Sequence, residues 1–437
     1  MLIFYCDHRN HYCQRTRLSL EGCSNILVKK RKAEYNRTRY KEESMTRAGT
    51  GFSENISLEK AALEAVSQAL ERAGSEKAGL LLVFASLNEP NKWAGVLKKL
   101  KSLAGARAVV GSSAFGILTD QVEVEQRPSV AVMALDIPKE GFCPFLIPHL
   151  QENNFQAGVN LAHTLCDSDL EPSLSMILPD AFSFQHGPFF DGFESEAGYG
   201  SLIGGCASER GGEEKTFQWA DGKLSYDSVS GVAFEKNLEF EIGITQSCQP
   251  LGEPLQVTRS KGNVIFEIDG RPAYDIFLEC ITQLRFEDTR DVFHRLFLGL
   301  PLTSFQTEFN RSRYLVRNIM GVNARKGVLA CASEVDEGDY VTFALRDPLR
   351  AKQDLVLMLQ DLRQKADGRN PLFGLYFNCC ARGISLYGTP GEDTALIREY
   401  FPNLPLIGFF TFGEIAPIEH VNHLHHYSGI LALASER

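Results

Sequence analysis

The sequence predicts an α/β to α+β protein in which repeated strand–helix–strand–strand units form mixed sheets covered by helices, in two domains. Three observations carry that expectation. One grammar of strand, helix, strand and glycine turn occurs three times along the chain. A strand-rich stretch of different character separates the second and third occurrences. Hydrophobic content of 44% with 23% charged residues is that of an ordinary globular protein, and 437 residues suffice for two or three domains.

Residues 1–45 read as a basic, disordered extension, or a segment that is not normally translated. Ten Lys/Arg stand against five Asp/Glu in residues 1–44, which leaves the body with a charge of −15. An acidic body lacks the cationic surface that would neutralise phosphates, so nucleic acid is not an expected partner. No apolar run approaches the roughly 18–20 residues that cross a bilayer. No secretory leader is apparent either, and the expected location is cytoplasmic, without membrane insertion. Cys6, His8, His11 and Cys13 are metal-ligand types, but eight residues lack the separated pairs of a zinc module. The eleven cysteines include no CxxC pair and read as reduced thiols.

Ordered structure is expected from Met45. Ser57 is placed to cap a helix whose apolar positions Leu58, Ala62, Ala65, Val66, Ala69 and Leu70 share one face, ending at Gly74. The first copy then runs from "LLLVFAS" at Leu80 through "KWAGVLKKLKSL" to "ARAVVGSSAFGI". The second runs from "LSMILPDAF" at Leu174 through "PFFDGFESEAG" to "SLIGGCASERG". The third runs from "LFGLYFNCCARG" at Leu372 through "EDTALIREYF" to "NLPLIGFFTFGEI". Strand–helix–strand with short links implies two parallel strands and a right-handed crossover. A further apolar run follows each copy, at Ser129, Ser228 and Ser428, and can return antiparallel.

The stretch between the second and third copies reads differently. "VTRSKGNVIFEIDGRPAYDIFLECI" predicts a strand, a turn at Asp269-Gly270 and a helix with Pro272 in its first turn. "YLVRNIMGV", "GVLACAS" and "YVTFALRD" predict three strands, and Asp347-Pro348 starts another helix.

Ligands in sheets with parallel strands bind beyond the strands' carboxyl ends. There the third copy holds Cys379, Arg382, Thr411 and Glu414, with Arg382 and Glu414 expected at one edge of one sheet. The corresponding places hold Ser86, Asn88, Ser112 and Ser113 in the first copy, and Asp180, Cys206 and Ser208 in the second. Arg382 and Glu414 form either an ion pair with each other or a clamp for the carboxylate and ammonium of a zwitterion. Arg317 shares a strand face with Leu315 and Ile319, so it is either paired internally or aimed into a cavity. Cys379 is a candidate nucleophile if a nearby positive charge lowers its pKa. His423 and His425 share a face of an extended run, the arrangement a metal or haem would use, although a solvated link explains them too. No dinucleotide fingerprint or phosphate-binding loop is present.

The set "IGGCASE", "VTRSKGNVIFEIDGRPAYDIF", "YLVRNIMGV", "FNCCARG" and "GFFTFGEIAP" resembles the FIST family from about Gly49 to the C-terminus. The resemblance places a FIST N-like domain at 46–270 and a FIST C-like domain at 271–437. It implies a sensory module of signal transduction that binds small ligands, amino acids among them. Some members of the family are linked to haem and nitric oxide, and no established catalytic residues come with it. No kinase, cyclase or receptor output segment is found here, so such a sensor would act through a partner, a histidine kinase or another signalling protein. The alternatives are a haem- or nitric-oxide-binding sensor and a cysteine-dependent enzyme.

Overall fold

In a computed structural model of the chain, the described residues are 46–437 apart from Asn88, Gly211, Glu213, 287–288 and 303–313. The basic extension at 1–45, with Cys6, His8, His11 and Cys13, lies outside them, as does Asn88.

Each copy of the repeat is longer than the sequence pattern shows. An edge strand and a helix come first, then the two parallel strands with their crossover helix, then a β-hairpin and a return strand. The first copy begins with Arg47–Ser53 and Leu58–Ala73, the second with Phe142–Pro148 and Asn154–Asp167. In the third copy the edge strand Leu238–Gln246 and the helix Pro348–Lys365 are separated by an insert. That insert, 248–346, leaves and re-enters through paired strands, Cys248 opposite Arg346, and builds a seven-stranded sheet of its own. The strands expected at 264, 314, 328 and 340 all lie in it.

The parallel pairs are as expected: Leu80–Ala85 beside Ala108–Ser113, Pro172–Pro179 beside Leu202–Gly205, and Phe373–Cys379 beside Leu406–Thr411. Each first strand is flanked on its other side by an antiparallel return strand, Val130–Asp136, Ser228–Glu235 or Ser428–Glu436. The hairpins do not stay at home. The hairpin of the first copy, Gly116–Glu125, pairs with Leu406–Thr411 of the third. That of the second, Gln218–Ser225, pairs with Ala108–Ser113 of the first. That of the third, Glu414–His425, pairs with Leu202–Gly205 of the second. Each six-stranded sheet is therefore completed by another copy, in a closed cycle.

One glycine in each second strand lets the backbone press against its own first strand at the point where the hairpin arrives. A Cβ at Gly111, Gly204 or Gly408 would sit 1.7, 1.9 or 1.7 Å from Val83 O, Ile177 O or Tyr376 O. Opposite these glycines lie Trp219, Ile415 and Leu118, one apolar side chain from each incoming hairpin. The strands alternate as buried sheets should. Leu80, Leu82 and Phe84 join Leu174, Met176, Leu178, Phe373, Leu375 and Phe377 in a core shared by the three sheets. Leu81, Val83 and Ala85 face the helices of their own copy instead.

Local expectations held at Asp347 but not at Ser57, nor at Pro272, which precedes the helix Ala273–Leu284 as its N-cap instead of lying in its first turn. Asp347 caps its helix by accepting from Arg350 N at 2.9 Å. Ser57 makes no such bond: its helix runs Leu58–Ala73 and closes at Gly74 in the left-handed region, but the Ser57 side chain caps nothing. Asn55 Oδ1 instead accepts from Ser57 N, so the asparagine shapes that entry.

Candidate functional site

The predicted partnership of Arg382 and Glu414 does not form. The strand Glu414–Ile418 leaves the sheet that holds Phe373–Cys379 and joins the sheet of the second copy, where Glu414 pairs with Gly205. Arg382 finds its carboxylate at Asp393, in the first turn of the helix Glu392–Tyr400. Nε donates to one oxygen at 2.9 Å and Nη2 to the other at 3.0 Å. Ser247 Oγ and Tyr387 Oη accept from the same guanidinium, and Tyr376 and Tyr387 donate to Asp393. Burial opposes both charges; Asp393 nonetheless holds Arg382 protonated, and Arg382 holds Asp393 below the usual carboxylate range. A pair so saturated fastens loop 380–393 to its sheet and has little left for a ligand.

Glu414 is fully buried and has no basic partner. Thr411 Oγ1 donates to Oε1 at 2.5 Å, while Ser428 Oγ and Ser428 N donate to Oε2 at 2.7 and 3.2 Å. Burial pushes its carboxyl from 4.5 up to about 7, against the pull of these hydrogen bonds. Cys379 and Cys206 lie close by, and burial followed by the Glu414 charge pushes both thiols up. That is the opposite of the activation a nucleophilic cysteine needs, and Arg382 does not act on Cys379.

Ser113 is tied into the exchange, accepting from Phe217 N at 3.0 Å and donating to Ser208 O at 3.1 Å. Ser112 Oγ is buried with no partner, as are both side-chain polar atoms of Asn378. On the hairpin from the first copy, Glu123 accepts from Gly391 N and Thr394 N at 2.9 and 2.8 Å, and Glu125 from Ile384 N at 2.9 Å. These carboxylates cap the starts of two helices of the third copy. Burial raises both to about 7, with Asp393 adding to the effect.

Arg317 is a buried cation whose acceptors among the described residues are backbone carbonyls. It comes from the insert, is 5% exposed, and donates to two backbone carbonyls: its own Val316 O at 2.9 Å and Leu424 O of the exchanged hairpin at 3.1 Å. A guanidinium carries five N–H donors, and among the described residues no carboxylate pairs with this one. His423, His426 and His186 stand close enough to Arg317 for its charge, added to burial, to lower all three. His423 falls to about 4 and His426 to about 3, so these rings are neutral at pH 7. The result is one buried, unneutralised positive charge amid neutral imidazoles, a setting that favours an incoming anion.

The predicted histidine pair lies beside it. His425 is opposite Glu414 and His423 opposite Ala416, with ring centroids 6.2 Å apart. His425 Nε2 lies 3.1 Å from Ala416 O, and its Nδ1 is buried without a partner. Among the described residues no group of three or more His, Cys, Asp or Glu is placed to hold a metal ion.

Residues 79–271 match the FIST N domain and residues 273–417 the FIST C domain. The chain belongs to the FIST family. Its relatives include an uncharacterized protein of Mycobacterium tuberculosis strain H37Rv, 27% identical over 390 residues, which covers 89% of this chain and 99% of the relative. An uncharacterized protein of Mycobacterium bovis is 26% identical over 89% of this chain and 98% of its own length. A third, from Methanocaldococcus jannaschii, is 25% identical over 46% of this chain and 38% of its own length. FIST domains are associated with sensory signal transduction. The FIST N match takes in the first copy without its leading strand and helix, the second copy and the start of the third copy and insert, and the FIST C match most of the insert and third copy. Arg317 lies in the FIST C part and His186 in the FIST N part, so both contribute to the cluster. No helix among the described residues is long and apolar enough to cross a membrane.

Sequence reasoning singles out Arg317, places His426 on the face opposite His423 and His425 without linking it to Arg317, and misses Asp393 and His186. Asp393 was detectable as an acid opening a helix eleven residues after Arg382. Nothing local links His186 and His426 to Arg317, since the hairpin exchange and the insert bring them together.

Proposed function

We propose that this FIST protein is a cytoplasmic sensory component of a signalling system that binds a small carboxylate-bearing ligand at Arg317 and acts through a separate partner protein. The supporting observation is the buried Arg317 guanidinium, which has no carboxylate partner among the described residues. Burial lowers its pKa to about 10, so the group stays charged at neutral pH at a cost that a ligand carboxylate would remove. Arg317 bridges the insert and the exchanged hairpin, so a ligand there favours one placement of these elements over others. The zwitterion clamp at Arg382 and Glu414 has no comparable support, because Asp393 already occupies Arg382.

The test is thermal unfolding of the purified protein against a panel of amino acids and other small carboxylates. A ligand at 100 times its Kd stabilises by about 2.7 kcal/mol. One or more members should raise Tm, and Arg317→Gln should abolish the rise. A panel without any shift, or a shift that survives Arg317→Gln, overturns the assignment.

A further inference from the structure

Two large aromatic side chains stand in water beside this cluster. Phe182 is 47% exposed and Phe412 37% exposed. Their rings meet edge to face at 6.1 Å. They come from different copies: Phe182 lies in the turn before the helix His186–Ala197, and Phe412 in the turn between Thr411 and Glu414. The backbones are held together, Cys206 N donating to Gly413 O at 2.8 Å and Phe412 N to Cys206 O at 3.2 Å.

The same turns lead to the buried charge. A Cβ at Gly413 would lie 3.4 Å from His426 Cε1, so His426 faces the backbone next to Phe412. His186 packs against Phe190 at 6.1 Å and stands within the field of Arg317. Gly413, next to Phe412, also packs on Leu424, whose carbonyl oxygen accepts from Arg317 Nη2 at 3.1 Å, so one hairpin turn links the exposed phenyl pair to the guanidinium.

Resting on the proposed function above, we infer that the ligand class of this site is an aromatic carboxylate, its carboxylate on Arg317 and its ring against Phe182 and Phe412. The carboxylate supplies the acceptors that the guanidinium lacks. A flat ring gains offset or edge-on contacts with the phenyl groups that an aliphatic group of similar size does not. A short alkyl carboxylate would satisfy the arginine and leave both phenylalanines in water.

Titration calorimetry on the full chain tests this with benzoate, phenylacetate, cyclohexanecarboxylate, acetate, benzyl alcohol and inorganic phosphate as probes. Benzoate or phenylacetate should bind most tightly, with cyclohexanecarboxylate weaker by roughly 2- to 10-fold. Acetate, phosphate and benzyl alcohol, each lacking one half of the recognition, should bind at least about tenfold more weakly. Phe182→Ala and Phe412→Ala alter exposed side chains, so both should fold. Each should weaken the aromatic acids by roughly 2- to 10-fold and leave acetate unchanged. Arg317→Gln should remove the preference for benzoate over benzyl alcohol. Acetate or phosphate binding as well as benzoate overturns the inference, as do phenylalanine variants that bind benzoate normally. A non-aromatic carboxylate lost in Arg317→Gln would refute the aromatic class and keep the sensor reading; no binding of any carboxylate would refute both.

Discussion

Glu414→Gln isolates the energetics of the buried carboxyl. Burial raises Glu414 from 4.5 to about 7, so its proton is held more tightly in the native than in the unfolded chain. A raised pKa contributes stability that is fully present below the unfolded value. That contribution is lost as pH climbs from about 4.5 through 7, and above 7 the loss levels off. At 1.36 kcal/mol per pH unit of separation, the full swing is about 3 kcal/mol. Between pH 5 and pH 8 roughly 2.5 kcal/mol of it is expressed. Glutamine keeps the shape and can still accept from Ser428 while turning its amide toward Thr411, but it does not titrate. Glu123 and Glu125 are raised in the same direction, so the wild-type protein loses stability over this range on three counts. Only the difference between variant and wild type isolates Glu414. Urea denaturation at pH 5 and pH 8 should therefore show the variant gaining about 2.5 kcal/mol relative to wild type across the interval. Infrared difference spectra should show a protonated-carboxyl band that titrates near pH 7 in the wild type and is reduced in the variant. Parallel pH profiles for the two proteins would refute the reasoning, since Glu414 would then titrate alike folded and unfolded.

Four further outcomes are expected. Gly204→Ala places a Cβ 1.9 Å from Ile177 O and should cost more than about 3 kcal/mol in denaturant titrations or prevent folding. Gly95→Ala, in a helix with nothing within 4 Å, should instead stabilise by about 0.5–1 kcal/mol. Arg382→Ala strands Asp393 and should cost about 3–5 kcal/mol, partly recovered when Asp393 is also replaced by leucine, as equilibrium unfolding would show. Thiol labelling of the native protein at pH 7, read by peptide mass spectrometry, should modify the exposed Cys166 and spare Cys206, Cys248 and Cys379 until unfolding. Prompt labelling of Cys379 would revive the cysteine-enzyme reading.

What was legible in the sequence follows the range of the interactions involved. The threefold repeat could be read because each parallel strand is a short apolar run next to its own crossover helix, and such patterns are local. The same holds for Asp347 and the turn at Asp269-Gly270, where a few neighbouring residues dictate the backbone. The hairpin exchange could not be read, because nothing in "TFGEIAP" says which copy's sheet edge it meets. Misplacing Glu414 followed directly: it was assigned to the sheet of Arg382 when its strand belongs to that of Gly205. Arg317 was flagged by being a charge in an apolar strand, whereas its imidazole neighbours depend on contacts more than a hundred residues apart.

The exchange also explains why one copy carries the candidate site. All three hairpins have to satisfy the polar groups where they enter a neighbour's sheet. The first does so through Glu123 and Glu125, which cap helices of its host. The second does so through Gln218, Thr216 and Asp180, while Trp219 stacks on Trp93 at 4.6 Å. At both junctions the answering groups come from the repeat itself, although Trp219 Nε1 and Ser112 Oγ at the second stay buried without a partner. The third hairpin meets the insert, and what the insert contributes there is Arg317, bonded to the hairpin backbone and without a carboxylate among the described residues. A charge that the repeat cannot neutralise has thus been added at one of three otherwise equivalent junctions. Symmetry among the copies accounts for the scaffold, and the insert that breaks it accounts for the place where a ligand would be read.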